Sequence, residues 1–413
     1  MRTLPVMNMA LARLIFYTIL MIRSLIALAL LAGFLVPSSV LAAPEERFEV
    51  SGWIPYWASS DGTRSARENM ESLSAVMPFT YSVSSTGALK DLGGMKKTVW
   101  KRLVREAGEA DVRVTPTVMW SDGASIHAVL SDPRKRANHI EAIVEMVERG
   151  GYDGVDIDYE GKLAATMPYF SAFLDELEEE LDGAFLSCTV EARTPPDSLY
   201  ASVPAVINYA NDFKALNRSC DRVNLMTYDQ QRADLKLNSA RKGAPYYPNA
   251  DPDWVRKVVT LAAKDIAKDK LVIGIPTYGR ELELTVAPEW YQAYTQLWSV
   301  NPEYAEDTAK KMRVKPSENG AGEKSYTYLP KKSPYKLSSW PKAPSGTSSG
   351  NEVAARALAH ANKTGETVKV NLVWWSDADA VEEKIDLARE LGVRGVALFK
   401  IDGGEDEDIW DLF

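Results

Sequence analysis

Residues Asp153–Glu160, which read DGVDIDYE, carry more information about this chain than any other stretch. Side chains of a β-strand alternate between two faces, so Asp156, Asp158 and Glu160 would project from the same face. The residues between them favour β-structure and would occupy the opposite face. Three carboxyl groups on one buried face repel one another, which raises the pKa of at least one. The stretch therefore predicts a strand that carries an acid–base site, and the alternative is a solvated acidic strand on an open sheet edge.

The order of the predicted strands and helices indicates the fold class. They alternate along the chain, which is the pattern of a parallel sheet. The predicted strands are Phe48–Ile54, Ala75–Val83, Arg113–Met119, Gly154–Tyr159, Phe185–Val190, Arg222–Thr227, Leu271–Ile275 and Gly395–Phe399. The predicted helices are Lys97–Ala110, Pro133–Arg149, Met167–Leu181, Val203–Leu216, Asp253–Ala267 and Ala378–Leu391. Eight strands with the acids at the end of the fourth predict an α/β fold, a (β/α)8 TIM barrel, with a doubly wound sheet as the alternative.

Two further motifs follow the acidic stretch. Asn224–Asp229 reads NLMTYD and Val272–Arg280 reads VIGIPTYGR. Residues 153–160, with the spacing D-G-x-D-x-D-x-E, resemble the signature of glycoside hydrolase family 18, the chitinase-like enzymes. The two further motifs resemble the M-x-Y-D strand and the G-I-P-x-Y-G-R strand of the same family. The resemblance runs from about Val50 to the C-terminus and implies a glycoside hydrolase.

The resemblance is nearest to bacterial members that are related to spore-cortex and peptidoglycan hydrolases. It rests there on Ser51–Trp57, which reads SGWIPYW, and on Trp374–Ala378, which reads WWSDA. Residues 281–370 break the alternation of strands and helices, and structureless loops of that length are uncommon in compact enzymes. They resemble the small α+β insertion that many family members carry between strands seven and eight. We therefore expect a catalytic barrel over residues 44–413 with an inserted subdomain at 281–370.

The resemblance also implies a reaction mechanism. Family 18 uses substrate-assisted, retaining catalysis, in which the acetamido oxygen of an N-acetylated sugar attacks its own anomeric carbon. Glu160 is then expected to act as the general acid and afterwards as the base. Asp158 would hold the acetamido N–H, and Asp156 beneath it would share its proton. Tyr228 would donate its hydroxyl to the acetamido oxygen, with an ordinary core tyrosine as the alternative.

Six more residues are predicted to bind the substrate. They are Trp53, Trp120, Met226, Asp229, Tyr278 and Phe399. Trp53, Trp120 and Tyr278 lie at or beside strand ends, where an aromatic face can stack on a sugar ring, although core packing is the alternative for each. Phe399 stands where the family usually has the Trp that forms the floor under the reacting sugar, and residues 115–120 lack the usual S-x-G-G. Both departures indicate a remodelled subsite for the reacting sugar. They argue against chitinase activity in particular more than against glycan hydrolysis in general.

Other residues near strand ends are candidates with equally open alternatives. Tyr56, Trp57 and Trp254 are possible sugar platforms or core residues. Glu191 and Arg193 follow the fifth strand with i, i+2 spacing. They either reach the rim of the pocket or form a plain surface ion pair. Arg280 is expected to brace the insertion.

Composition and charge narrow the class of partner. The formal net charge of the 413 residues is −9, which argues against nucleic acid or an anionic membrane surface as a partner. With three His and two Cys and without a P-loop, the chain is expected to use no metal and no cofactor. The expected partner is a glycan that contains N-acetylglucosamine, and the expected oligomeric state is a monomer.

The N-terminal residues 1–43 resemble a signal peptide. A positively charged start is followed by the apolar run Leu25–Val36 and by small residues, with cleavage expected after Ala42 or Ala43. A second apolar stretch, Leu11–Ile22, precedes this pattern. Either translation starts at Met21, or the whole segment stays as a membrane anchor. We expect a secreted, periplasmic or cell-envelope protein.

If the protein is exported, its two cysteines are in a compartment that allows a disulfide to form. Cys188 lies in a predicted strand and Cys220 lies just before the next strand. Neighbouring parallel strands would bring them close enough for a disulfide, which is favoured outside the cytoplasm. Two buried free thiols are the alternative.

Three functions compete at this point. The first is a secreted hydrolase of glycans that contain N-acetylglucosamine, with peptidoglycan ahead of chitin. The second is a chitinase-like protein that binds a glycan without cutting it, although such proteins typically lose the acid and Glu160 is present. The third is a structural protein of the cell envelope.

Overall fold

The computed structural model describes residues Phe48–Phe413. The predicted signal peptide and its alternative as a membrane anchor lie outside the described residues. Within Phe48–Phe413, no helix combines the length and the hydrophobicity that crossing a bilayer requires.

The strands of the described region form two sheets. In chain order they are β1 (Glu49–Pro55), β2 (Ala75–Val83), β3 (Leu89–Asp91), β4 (Arg113–Val114), β5 (Thr117–Trp120), β6 (Gly154–Tyr159), β7 (Phe185–Glu191), β8 (Arg222–Met226), β9 (Leu271–Pro276), β10 (Gly279–Ala287), β11 (Trp290–Val300), β12 (Ser317–Glu318), β13 (Lys324–Tyr328), β14 (Val368–Trp375) and β15 (Gly395–Phe399). The first sheet is a barrel, and the second belongs to the insertion.

The helices mostly join successive barrel strands. They are α1 (Ser59–Glu68), α2 (Thr98–Glu109), α3 (Gly123–Leu130), α4 (Pro133–Gly150), α5 (Met167–Glu180), α6 (Pro196–Leu199), α7 (Phe213–Ser219), α8 (Leu235–Ala240), α9 (Pro252–Ala262), α10 (Pro302–Met312), α11 (Glu352–Thr364) and α12 (Ala378–Leu391). Helices α10 and α11 belong to the insertion. Helix α12 ends at Leu391 and is followed by Gly392, which has the left-handed conformation that favours glycine.

Eight parallel strands close into a barrel. Strand β1 pairs with both β2 and β15, which closes the barrel. From β2 the order of neighbouring strands continues with β4 and β5, which share one position, and then with β6, β7, β8, β9 and β15. The predicted (β/α)8 TIM barrel is therefore confirmed, and a doubly wound open sheet is excluded. The third barrel strand is split into β4 and β5, because Pro116 has no N–H for the sheet.

An antiparallel sheet is inserted between the seventh and eighth barrel strands, β9 and β15. Its strand order is β11-β10-β14-β13-β12. The sheet begins at Gly279 and ends at Trp375, so it extends beyond the predicted bounds 281–370 on both sides. Two helices complete it, which makes it the α+β insertion that the sequence predicts.

One predicted helix is wrong. The prediction placed a helix at Val203–Leu216, but α7 covers only Phe213–Ser219, and residues 200–212 are irregular. Pro204 interrupts the segment, and the carboxylate of Asp212 accepts a hydrogen bond from the backbone N–H of Lys214 and so caps the helix. Likewise, α9 begins at Pro252 rather than at the predicted Asp253, and the side chain of Asp251 caps it.

The two cysteines form a disulfide. Cys188 in β7 and Cys220 just before β8 are bonded, with their Cα atoms 6.1 Å apart. Of the two alternatives that the sequence leaves open, the structure thus has the bridge. It joins two neighbouring barrel strands and closes a loop with a sequence separation of 32 residues.

Buried charges fill the barrel interior at the end opposite to the acids. The side chain of Arg222 is fully buried and pairs with Glu49, which also accepts a hydrogen bond of 2.6 Å from Arg394 Nε. Burial opposes ionisation of Glu49, but the guanidinium groups of Arg222 and Arg394 outweigh it and lower the pKa to about 2. These contacts tie β1 to β8 and to the residue before β15.

Glu49→Gln is expected to destabilise the protein by about 3–5 kcal/mol, because it leaves a buried guanidinium without its counter-ion. Urea denaturation at pH 7 measures the effect. Glu283→Gln, which removes the half-buried partner of the exposed Lys369, is the control and should cost less than about 1 kcal/mol. Because the pKa of Glu49 is lowered, its contribution is complete above pH 4.5 and is lost as pH falls toward 2. A cost for Glu49→Gln no larger than the control would contradict this account.

Candidate active site

Strand β6 carries the acids on its barrel-facing side. Asp156 is fully buried, Asp158 is buried, and Glu160 follows at the barrel mouth and is half-buried. The alternate residues face the helices: the ring of Tyr159 stacks on Phe173 of α5 with centroids 5.5 Å apart. The predicted strand bounds and the predicted alternation of faces are both observed.

The carboxylate of Asp156 is surrounded by hydrogen-bond donors from four other barrel strands. The donors and distances are Trp53 Nε1 at 3.1 Å, Thr117 Oγ1 at 2.9 Å, Ser187 Oγ at 2.7 Å, Thr189 Oγ1 at 2.9 Å and Asn224 Nδ2 at 3.3 Å. Asp156 is therefore fixed beneath the site. The three hydroxyl donors and the amide could not be singled out from the sequence, because they become neighbours only when the barrel closes.

Asp158 has one carboxyl oxygen that lacks a partner. Among the described residues, no group lies within hydrogen-bonding distance of its buried Oδ1. Burial raises the pKa of Asp158 well above its usual range, and the negative charges of Glu160 and Asp156 add to this effect. Buried polar atoms are nearly always hydrogen-bonded, so this oxygen is suited to bind a polar group of a ligand.

Glu160 lies where the barrel opens. Its backbone N–H donates a hydrogen bond of 2.8 Å to the carbonyl oxygen of Trp120, which fixes the chain at this point. Burial and the negative charge of Glu191 raise the pKa of the Glu160 carboxyl, and the charge of Lys162 opposes them. A carboxyl group with a raised pKa at the mouth of a barrel can deliver a proton near neutral pH.

Tyr228 joins the acids from the end of β8. Burial raises the pKa of its hydroxyl, and the charge of Asp158 is the next cause, which places the two side chains close together. A Cβ at Gly274 would lie only 2.8 Å from the Tyr228 ring, so glycine leaves the space that the ring occupies. The sequence motif contained this glycine, but its spatial role was missed.

Phe399 lies inside the barrel among other aromatic rings. Its ring stacks on Tyr228 with centroids 5.2 Å apart and 16° between the planes. The edges of Trp53, Phe79 and Tyr278 lie around it at centroid distances of 5.8, 6.1 and 6.1 Å. Phe399 is half-buried, so it forms part of an apolar floor beside Tyr228. These contacts place Phe399 inside the barrel and not between the barrel and the helices.

The resemblance to family 18 implies turnover of N-acetylglucosamine oligomers, and Phe399→Ala is expected to lower that turnover by about tenfold or more. The reason is that displacing a bound sugar by ~1 Å can reduce the rate up to ~100-fold. Phe399→Trp is expected to change the affinity for short oligomers, since indole offers more stacking area and an N–H donor. Steady-state kinetics and calorimetric titration measure both. Phe413→Ala at the C-terminus is the control, and wild-type kinetics in Phe399→Ala would contradict this role.

Asp229 links the site to the insertion. Its Oδ1 accepts a hydrogen bond of 2.7 Å from the Tyr278 hydroxyl and forms an ion pair with Arg280. Arg280 Nη1 also donates to the side-chain oxygen of Gln296 in β11 at 2.7 Å. Arg280 thus braces the insertion, as expected. Met226 is half-buried at the end of β8 and lies beside Glu191 in the strand register.

The structure corrects the expectations for several tryptophans. Trp120 is 4% exposed and packs edge-on against Tyr159, so it faces the helices and cannot stack on a sugar in the cleft. Trp53 is 1% exposed and donates to Asp156, so it supports the site from below rather than offering an open face. Trp254 is buried and donates to Thr194.

Trp57 is the exception among these aromatic candidates. It is 55% exposed and lies edge-on to Phe79 at 6.1 Å, and Phe79 in turn contacts Phe399. An exposed indole so close to the apolar floor can stack on a sugar ring. Tyr56 packs edge-on against Trp57 at 5.0 Å.

Glu191 and Arg193 do not form the surface ion pair that was the alternative for them. Glu191 points to the acids and accepts a hydrogen bond of 2.8 Å from the backbone N–H of Gly161. Arg193 instead stacks over the ring of Tyr209, with its guanidinium carbon 3.7 Å from the centroid. The sequence interpretation missed Lys162, whose side chain is fully buried beside Glu191. Between residues 48 and 413, no group of three or more His, Cys, Asp or Glu side chains could hold a metal ion.

Comparisons with known proteins agree with this geometry. Residues 58–404 match the family described as glycosyl hydrolases family 18. A Bacillus subtilis protein named provisionally as the sporulation-specific glycosylase YdhD is 28% identical over 235 residues, which are 52% of this chain and 48% of that protein. The chain thus spans about half the length of this relative.

Two solved structures illustrate the shared fold. The spore cortex-lytic enzyme SleL of Bacillus megaterium has a TM-score of 0.64 and 19% identity over 90% of this chain and 74% of its own. A chitinase from Chromobacterium violaceum has a TM-score of 0.64 and 18% identity over 88% of this chain and 97% of its own.

Proposed function

The chain belongs to glycosyl hydrolases family 18, and from this premise we propose that it hydrolyses glycans with β-linked N-acetylglucosamine by substrate-assisted, retaining catalysis. In this reaction the acetamido oxygen of the sugar attacks the anomeric carbon. Glu160 donates its proton to the leaving glycosidic oxygen and then takes a proton from the incoming water. The cyclic intermediate carries positive charge beside Asp158.

The observation that carries the proposal is the unpartnered oxygen of Asp158. It is buried between Asp156 below and Glu160 above on one strand face, with the Tyr228 hydroxyl nearby. An acetamido N–H would supply the missing partner for Asp158, and the Tyr228 hydroxyl would donate to the acetamido oxygen. Asp156, held by its five donors, lies directly below Asp158 on the same strand face.

Two features bear on which glycan is cut. A sporulation-specific glycosylase and a spore cortex-lytic enzyme are among the similar proteins, which favours glycan strands of peptidoglycan. Phe399 in place of the usual Trp supports a subsite that differs from those of typical chitinases. We therefore place peptidoglycan-type strands ahead of chitin.

A substrate screen tests this function. The purified protein is incubated with chitin oligomers, with glycan strands of peptidoglycan and with N-glycans, and the products are identified by mass spectrometry. We expect new reducing ends from peptidoglycan strands and fewer from chitin, and none from Glu160→Gln. Saturable binding without product from any glycan would support the alternative, a glycan-binding protein of the cell envelope.

We also propose that the protein acts outside the cytoplasm, as a monomer. The disulfide between Cys188 and Cys220 supports this location, because such bonds persist in oxidising compartments. The signal-peptide pattern at residues 1–43 supports it independently. Fractionation of cells and light scattering of the purified protein test the two statements.

A further inference from the structure

A fully buried lysine lies beside the acids, and the mechanism above does not use it. The side chain of Lys162 has no exposed surface, and its Nζ lies 3.7 Å from Glu191 Oε2. The ammonium group donates to the carbonyl oxygen of Tyr159 and lies 4.7 Å from the centroid of the Phe170 ring in α5. Burying an ammonium group is costly unless a carboxylate pairs with it. The presence of a buried lysine at this place, beside the acids, therefore requires an explanation.

Glu191 connects this lysine to the loop that carries Glu160. Its Oε1 accepts a hydrogen bond of 2.8 Å from the backbone N–H of Gly161, the residue after Glu160. Its Oε2 accepts one of 3.1 Å from Asn211 Nδ2. On its other side the loop packs tightly, since a Cβ at Gly123 would lie 2.3 Å from the carbonyl oxygen of Gly161. The backbone next to Glu160 is thus held from both sides.

The two charges act on the same carboxyl group in opposite directions. After burial, the negative charge of Glu191 is the largest cause that raises the pKa of Glu160, whereas the ammonium group of Lys162 lowers it. Lys162 also lowers the pKa of Asp158. Asp229, at the end of β8, is the remaining charge that acts on Glu160 and raises its pKa. Tyr228 beside it is a neutral donor whose own pKa is raised by burial.

We propose that Lys162 and Glu191 form a positioning pair, which holds the loop of Glu160 and sets the pH range over which Glu160 is a proton donor. The inference rests on the proposed function, because Glu160 must be protonated to act on the leaving oxygen. Neither residue has a chemical role in the proposed reaction, so each would act through Glu160. Their charges oppose each other at Glu160, so Lys162 limits how far Glu191 raises the pKa of the acid.

Opposite shifts in the pH profile of kcat/KM are the expected result. The basic limb reports the loss of the proton from Glu160 in the free enzyme. Lys162→Met removes a positive charge and should move this limb to higher pH by roughly half a unit or more. Glu191→Gln removes a negative charge and should move it to lower pH by a similar amount. Lys162→Arg keeps the charge and should restore the wild-type limb, and the double variant should lie between the two single variants.

A direct titration separates this inference from the proposed function. Carbon-13 NMR of labelled Glu carboxyl groups follows Glu160, whose signal is assigned by its absence in Glu160→Gln. The titration midpoint should shift in the same opposite directions, whether or not a substrate is cleaved. An inactive wild type would overturn the proposed function alone.

Certain results would overturn the pairing itself. One is that Lys162→Met and Glu191→Gln, both shown to be folded by urea denaturation, keep the wild-type titration midpoint of Glu160. Another is that they shift it in the same direction, as a purely structural disturbance would do. If Lys162→Met fails to fold, Glu191→Gln decides the matter alone by shifting the midpoint down or leaving it unchanged.

Discussion

Glu160→Gln is expected to fold and to bind glycans like the wild type, but to lose at least ~100-fold in turnover. The amide keeps the size of the side chain and cannot donate a proton of comparable acidity to the leaving oxygen. The raised pKa of Glu160, caused by burial and by Glu191, is what makes the carboxyl a donor near neutral pH. Initial rates on the substrate identified by the screen measure the loss, and calorimetry measures binding.

Glu178→Gln is the matched control for this variant. Glu178 is exposed on α5, the helix that follows the acidic strand in the chain, so the same change there should leave turnover unchanged. If Glu160→Gln hydrolysed every substrate at the wild-type rate, Glu160 would not be the general acid. The assignment of Asp158 and Tyr228 to the acetamido group would then lose its basis as well.

The sequence predicted the strand of the acids to the residue because both of its faces have clear chemistry. Gly154–Tyr159 alternates buried apolar residues with acids, and the order of the predicted strands makes it the fourth. The bounds of Gly395–Phe399 were also predicted correctly, because a glycine-ended helix precedes them. Where periodicity is strong and end signals are present, local sequence is enough.

Errors arose where a prediction needed the register between strands. Trp120 lies opposite Tyr159 in the register of β5 and β6, so both face the helices. A strand end alone does not give that information, since a step of one residue exchanges the two faces. The wrong prediction of a helix at Val203–Leu216 has a local cause instead. The segment contains apolar residues, but Pro204 interrupts it, and a helix forms only from Phe213.

Lys162 was missed for a third reason. Two residues after the acid, in a loop, it would ordinarily be taken as an exposed lysine. Its burial depends on Glu191, which is distant in sequence and becomes a neighbour through the pairing of β6 with β7. The residues that tune a site are thus harder to predict than those that perform the chemistry, because their contacts come from different strands.

Substrates that lack the 2-acetamido group are expected to be cleaved at least ~10³-fold more slowly than the matching N-acetylglucosamine substrates. In the proposed reaction the nucleophile is part of the substrate, and well-placed intramolecular groups reach effective molarities of about 10⁵–10⁸ M. Among residues 48–413, the acids of strand β6 offer no obvious replacement: Asp156 is held by five donors below the site, and Asp158 is the group that would orient the acetamide.

Paired aryl glycosides of glucose and N-acetylglucosamine oligomers, with the same leaving group, measure this dependence. A thiazoline analogue of the cyclised intermediate should inhibit the enzyme more strongly than the N-acetylglucosamine product does, because it resembles a species that the site stabilises. Asp158→Asn should weaken that inhibition, since the neutral amide no longer stabilises the positive charge of the intermediate. Equal rates on the two glycosides would instead require a nucleophile from the protein, and Asp158 would then be the first residue to examine for a covalent glycosyl adduct.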